Sequence, residues 1–271
     1  MKIEVLLSTM HQVDMHIVEQ CNIKSDVLII NQCDINNDNE IVDYDRRIRM
    51  ISTTERGLSN SRNMALENAT GDICILCDDD VVYCDQYVEI VKEAFEKVPD
   101  ADIMVFNIKR ISQDIRRTEE KIFTHISRIP PYKTYGSVHI AFKRKSIESK
   151  KIFFNTLFGT GSGMYDMCED AIFFMNAHKA HLHCYVYPAC FAKVHFDSSS
   201  WFKGYNDHYF YDVGAYLSVV YPNIKHLMKY YYPLRMRGLS DLSGKSIIKN
   251  INAGMKGYKL HKNYEQFTNM E

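Results

Sequence analysis

No apolar run in the sequence approaches the roughly 20 residues needed to cross a bilayer. The start, MKIEVLLSTM, has a lysine and an acid ahead of a short apolar run, which suits a first strand better than a secretory leader. No internal repeat and no low-complexity linker breaks the chain. The eight cysteines come without a leader, which points to a reducing cytoplasm where thiols act as small core residues. Cys74 and Cys77 form a CxxC, but it sits inside an apolar strand pattern with no second pair, so it reads as packing. His178, His181 and His183 have loose ligand spacing and no matching cysteines, which argues against zinc.

Net charge is also nearly absent, with 33 Lys and Arg against 34 Asp and Glu, and this balance hides an asymmetry. Residues 225 to 262 hold nine Lys or Arg and one acid, Asp241, while residues 1 to 224 hold 24 basic and 31 acidic residues. A basic end on an acidic body suggests an anionic partner, a phospholipid surface or nucleic acid. A solvated helical face explains it equally well.

Short apolar runs at Ile3–Leu7, Val27–Ile30, Ile48–Ile51, Ile73–Cys77 and Ile103–Phe106 read as strands. Helical patterns lie between them: through about Cys21, over Leu58–Asn68 and over Tyr87–Val98. Nearly continuous apolar strands alternating with helices predict an α/β protein with a mostly parallel sheet covered on both faces. Such sheets bind ligands beyond the carboxyl ends of their strands. The middle of the chain is less regular; SVHIAFKR reads as a strand, and FGTGSGMYDMCED as a glycine-rich loop entering a helix over about Cys168–Ala180.

The carboxyl end of the fourth strand carries Asp78, Asp79 and Asp80. Like charges so close repel, so the triplet is either an open acidic turn or a cation site. In an extended strand Asp78 and Asp80 would share one side, a pair of hard oxygens suited to Mg²⁺ or Mn²⁺. Arg62 falls on the apolar stripe of the preceding helix, with Leu58, Ala65, Leu66 and Ala69, where a cation needs an anion beside it. That anion is one of the aspartates, a ligand phosphate, or each in turn. Glu169 and Asp170 open the later helix, where acids suit the helix dipole or where Asp170 could serve as a general base. His195 ends a further strand before a serine-rich turn, and could complete a metal shell, touch phosphate, or be a loop histidine.

Taken together, GLSNSRNMALENATGDICILCDDDVVY resembles the signature of the family 2 glycosyltransferases, in which a GLS-x-x-RN helix precedes a strand ending in a D-x-D metal motif. FGTGSGMYDMCED resembles the family's later glycine-rich loop and ED motif. The resemblance covers roughly residues 1 to 200 and implies the Rossmann-like GT-A fold. It implies a glycosyltransferase domain over 1–200, with a nucleotide-binding half (1–107) and an acceptor-binding half (108–200), followed by a helical basic extension over 201–271. It further implies an inverting transfer from a UDP-sugar to a hydroxyl of a glycan or lipid-linked acceptor, with Mn²⁺ or Mg²⁺ as cofactor. Ser8, Thr9, Asp34, Arg62, Asp78 and Asp79 would then bind the nucleotide sugar, Asp78, Asp80 and His195 the metal, and Asp170 with Glu169 would be catalytic. The expected setting is the cytoplasm, peripheral at the inner membrane face through residues 225–262, with no nucleic-acid partner. Two rivals stand beside this reading. A sugar nucleotidyltransferase would want a glycine-rich basic loop after the first strand, where this chain has STMHQVD. A nucleotide- or partner-binding module without turnover would not need Glu169 and Asp170 together with an intact D-x-D.

Overall fold

A computed structural model describes residues 1–111, 122–195 and 202–270. The first half of the chain contains β1 (Ile3–Met10), α1 (Ile17–Gln20), β2 (Asp26–Gln32), β3 (Asn37–Asp43), β4 (Arg46–Thr53), α2 (Leu58–Asn68) and β5 (Ile73–Asp78). There follow β6 (Val81–Tyr83), α3 (Tyr87–Lys97), β7 (Ile103–Ile111), β8 (Ser127–Arg128), β9 (Ile140–Lys143), α4 (Arg144–Ser149), α5 (Glu169–Lys179) and β10 (Cys184–His195). The C-terminal part is helical: α6 (Asp207–Val220), α7 (Lys225–Met228), α8 (Tyr231–Arg235), α9 (Gly244–Leu260) and α10 (Tyr264–Thr268).

The chain divides into two compact units. One holds residues 1–56, 60–154 and 173–199; the other holds 57–59, 155–172 and 200–271. In the first unit the strands form one sheet in the order β3-β4-β2-β1-β5-β9-β7-β10-β6, with β8 on β10. The run β4-β2-β1-β5 is parallel, as is β7 with β10. β3, β6, β8 and β9 add antiparallel pairs, so the sheet is mixed. The apolar runs are continuous because both faces are covered: Val5 and Leu7 of β1 enter one core cluster and Leu6 the other. Cys74 and Cys77 likewise belong to opposite clusters, which fixes the CxxC as packing. The helical pattern read after β1 shortens to α1, and the turn-prone stretch after β2 contains β3, an exposed strand that the apolar pattern had no means to show.

In the second unit α6 and α9 approach closely at glycines of both helices. A Cβ on Gly254 would sit 1.8 Å from the Tyr211 carbonyl oxygen, and one on Gly214 would sit 2.1 Å from that of Ile251. The Tyr211 hydroxyl donates to the carbonyl of Lys262 at 2.8 Å, where the chain leaves α9. Side-chain caps start α6 (Asn206), α9 (Ser243) and α10 (Asn263, in a capping box with Gln266).

Candidate functional site

The first unit gathers a polar cluster at the carboxyl ends of β1 and β5. Parallel register sets Ser8 opposite Asp78, the last residue of β5, and β1 runs two residues further to Met10. Ser61, on α2, donates to the Ser8 hydroxyl at 2.9 Å. Thr9 donates to Asp79 at 2.9 Å and accepts from the Gln12 side chain at 3.1 Å.

Arg62 lies one position beyond Ser61 and only 3% of its side chain is exposed. Its Nη2 reaches both oxygens of Asp78, at 2.9 and 3.1 Å, and Ser137 at 2.8 Å. Its guanidinium also stands over the Phe154 ring at 5.3 Å. The buried cation therefore has its anion in the triplet, one of the partners the sequence allowed. Replacing Arg62 by Lys should cost about 2 kcal/mol of unfolding free energy, because an ammonium lacks the planar group that stands over Phe154 while Nη2 reaches Asp78 and Ser137. Urea titration measures this; a loss under about 0.5 kcal/mol would put the pair in the class of exposed ion pairs.

Asp79 and Asp80 lie in a turn rather than in the strand, so strict alternation does not order the triplet. Asp79 turns to Thr9, whereas Oδ1 of Asp80 is buried with no hydrogen-bond partner among the described residues. Burial pushes the Asp80 carboxyl up to about 7, and the charges of Asp78 and Asp79 push it the same way. β6 begins directly after this turn and pairs with the end of β10, and the backbone N–H of His195 donates to the Asp80 carbonyl at 3.1 Å. The serine-rich turn after His195 lies outside the described residues.

An orphaned, desolvated carboxylate oxygen is what a cation would satisfy. Among the described residues no group of three or more His, Cys, Asp or Glu side chains could hold a metal ion by itself. Mg²⁺ and its relatives in phosphate sites ask for less: one or two carboxylates, completed by water and substrate phosphate. Asp80 and Asp78 fit that smaller demand.

Asp34 is apart from this cluster in its bonding: it pairs with Arg56 at 2.7 Å, with its own side chain 88% exposed. Arg56 is held in turn by the carbonyls of Cys33 and Thr54. Of the three histidines with loose ligand spacing, His178 meets the Lys133 carbonyl and His183 meets Asp100.

The second unit builds its own constellation around the glycine-rich loop. The N–H of Leu58 donates to the Thr160 carbonyl at 2.9 Å, and the Ser59 hydroxyl to that of Phe158 at 2.6 Å. The GLS and FGTG stretches, about a hundred residues apart, are thus stitched together. Gly159 has φ +102, and a Cβ there would press on Glu169 at 3.1–3.3 Å. Only glycine gives this loop both its left-handed turn and room for the Glu169 carboxylate. Glu169 is buried and Asp170 half-buried at the first turn of α5. The preceding loop is pinned by Asp212 of α6, which accepts the N–H of Asp166 at 2.8 Å. Asp212 is 1% exposed, and burial pushes its carboxyl up to about 8. His208 lies 3.6 Å from its other oxygen.

Ser137, Phe154 and Asp212 were not readable as site residues. The first two come from the irregular middle, where only the need of Arg62 for buried neighbours signalled that partners existed; Asp212 is an acid set among the apolar residues of α6, which was a signal of its own.

The model of glycosyl transferase family 2 matches residues 15–165, more than half of the chain. The chain belongs to that family. A search of curated proteins finds no match. The fold of this glycosyltransferase is that of the GT-A domain of S. aureus TarS. The crystal structure of TarS 1-349 in complex with UDP-GlcNAc aligns at TM-score 0.62 and 13% identity, over 97% of this chain and 93% of that one. TarS 1-349 in complex with UDP aligns at TM-score 0.58 and 12% identity over the same shares. A longer TarS structure aligns at TM-score 0.59 and 14% identity, over 98% of this chain and 44% of that one. At such identities the likeness is one of fold. Arg62 and the D-x-D of this glycosyltransferase lie inside the matched span, Ser8 and Thr9 lie before it, and Glu169 and Asp170 follow just beyond it.

Proposed function

We propose that this glycosyltransferase moves a sugar from a UDP-sugar, with inversion, to a hydroxyl of a glycan or lipid-linked acceptor in cell-surface polysaccharide or glycoconjugate synthesis. The observation that carries the reading is the unpartnered Asp80 oxygen beside the Arg62–Asp78 pair at the carboxyl ends of β1 and β5. Support for a UDP-sugar comes from TarS, whose structures are of complexes with UDP-GlcNAc and UDP.

In this reading Asp80 and Asp78 would hold Mn²⁺ or Mg²⁺, water and diphosphate oxygens would fill the rest, and His195, at the end of β10, would touch phosphate rather than the ion. When bound, the ion neutralises charge that builds on the leaving diphosphate. Arg62 holds Asp78 in one orientation and adds a fixed positive charge behind it. Ser8 and Thr9 line the strand end that receives the nucleotide, Asp79 keeps Thr9 in place, and Asp34 meets the base from the loop after β2. Asp170 accepts the proton of the acceptor hydroxyl as its oxygen attacks the anomeric carbon. The bond to the diphosphate breaks on the opposite face, so one displacement inverts the centre. Glu169, seated on Gly159, fixes the start of α5 that carries Asp170.

The setting proposed is the cytoplasm, peripheral at the inner membrane face. No helix among the described residues is long and apolar enough to cross a membrane.

Calorimetric titration of UDP tests the donor site. Binding should require Mn²⁺, vanish in EDTA, and weaken at least about tenfold in Asp80→Asn, the loss of one charged hydrogen-bonding partner at a phosphate site. Binding that ignores both the metal and Asp80 would remove the triplet from the donor site. Failure with UDP alongside binding of GDP, dTDP or CMP would correct the base and keep the site.

A further inference from the structure

The segment 224–239 breaks the usual rule for short helices. α7 and α8 contain no buried residue, and the two are joined by a single turn. Met228 and Tyr232 are half-buried, yet a second apolar set along the segment recurs at helical spacing and faces outward: Ile224, Leu227, Tyr231 and Leu234 are all exposed, the two leucines at 71% each. Met236, just after α8, is buried and anchors the segment. An amphipathic pair in a globular unit normally turns that stripe inward. This one turns it out.

The charges around the stripe have one sign. Lys225, Lys229, Arg235 and Arg237 fall within 224–239, and no acid does. Two of the cations lie against exposed rings, Lys229 at 5.1 Å from the Tyr230 centroid and Arg235 at 6.0 Å from that of Tyr231. Lys229 also donates to Asn252 of α9 at 3.0 Å, which ties the segment to the longest helix of its unit. Outward leucines, tyrosines with apolar bodies and polar tips, and cations without acids are the composition of an interfacial element.

We propose that residues 224–239 are a membrane-docking surface that seats in the headgroup region of a bilayer containing anionic lipid. Leu227 and Leu234 enter the acyl boundary, Tyr230 and Tyr231 lie at headgroup depth, and the four cations meet lipid phosphate. The surface rests on the peripheral location proposed above and gives that location its side chains and its lipid class. Charge decides the partner: a zwitterionic bilayer offers the apolar part of the match and leaves the four cations uncompensated. The basic α9 is a separate matter: Lys245, Lys249 and Lys256 line a groove of about 770 Å³ that also holds an acid, Asp207, whereas the segment 224–239 has none.

Sedimentation of the full chain with vesicles tests this. The wild type should bind phosphatidylcholine vesicles containing phosphatidylglycerol and bind pure phosphatidylcholine far less. Raising salt from about 0.1 M to about 1 M, which shortens the screening length from about 10 Å to about 3 Å, should release most of it. L227E/L234E should lose at least about tenfold in vesicle binding with an unchanged melting temperature, because both leucines are exposed. K225E/R237E should lose a similar amount through charge alone, while K245E/K249E should retain most binding. A wild type that binds no vesicle overturns both the peripheral location and the surface. A wild type that binds while L227E/L234E binds equally well overturns the surface and leaves the location standing. Loss in K245E/K249E as great as in L227E/L234E would move the contact to α9. If gel filtration shows L227E/L234E converting a dimer to a monomer with vesicle binding intact, the stripe belongs to a second copy and the proposal fails. UDP binding is measured apart from all of these, so a failed donor site would not be mistaken for a failed membrane surface.

Discussion

Asp170→Asn should abolish sugar transfer, lowering the rate at least about a thousandfold, while UDP affinity stays at the wild-type value. The amide keeps the size and most of the hydrogen bonding of the carboxylate at the first turn of α5 but cannot accept a proton from an attacking hydroxyl. The proposed donor site has its Arg62–Asp78 pair independent of Asp170 and should not register the change. The informative pair is therefore transfer rate and UDP titration on one preparation. Transfer that survives in Asp170→Asn, with UDP binding intact, would show that the base is another group, and Glu169→Gln would be the next variant. Loss of both together would mean that the change had disturbed the fold, and a melting curve would show it.

The second large effect is on stability. Gly254→Ala should cost more than about 4 kcal/mol and expose the C-terminal unit to protease. On helix propensity alone the substitution is favourable by about 0.5–1 kcal/mol, so the two arguments have opposite signs. Packing wins because the obstacle is the Tyr211 carbonyl oxygen at 1.8 Å, part of a backbone that cannot rotate away as a side-chain tip can. The helices would have to separate, opening the contact at Gly214 and the Tyr211 bond to Lys262 as well. Chemical unfolding measures the loss. A variant within about 1 kcal/mol of the wild type would show that α6 and α9 do not depend on this approach.

How much of this could be read in the residues varies by region. The parallel core was legible because strands buried on both faces are apolar at every position, as Val5, Leu6 and Leu7 are, and nothing else in a short chain looks like that. The burial of Arg62 was legible from its place on the apolar stripe, and its pairing with an aspartate was one of the outcomes that place allowed. His195 at a strand end was legible too, from VHF before a serine turn. By contrast, β3 escaped because its residues are exposed and polar, and its strand character comes from pairing with β4 rather than from its own pattern. Ser137 and Phe154 escaped because a partner supplied from 75 or more residues away leaves no local trace. The turn at Asp79 and Asp80 escaped because alternation was extended two residues past the end of the strand.

β3 has a further consequence. It closes one end of the sheet and exposes Asp38, Glu40 and Asp43, each paired with an arginine of β4: Arg49, Arg47 and Arg46. Pairs so open to water add little to folding free energy. Their effect falls instead on encounters between copies of the chain. A foreign strand arriving at that edge would have to lay its backbone beside a row of fixed charges. At the other end, among the described residues, it would find β6, three residues long. Neither margin offers a template for growth into fibres. Neutralising the acidic row would therefore show first as a protein that clouds on concentration, well before it showed as one that melts early.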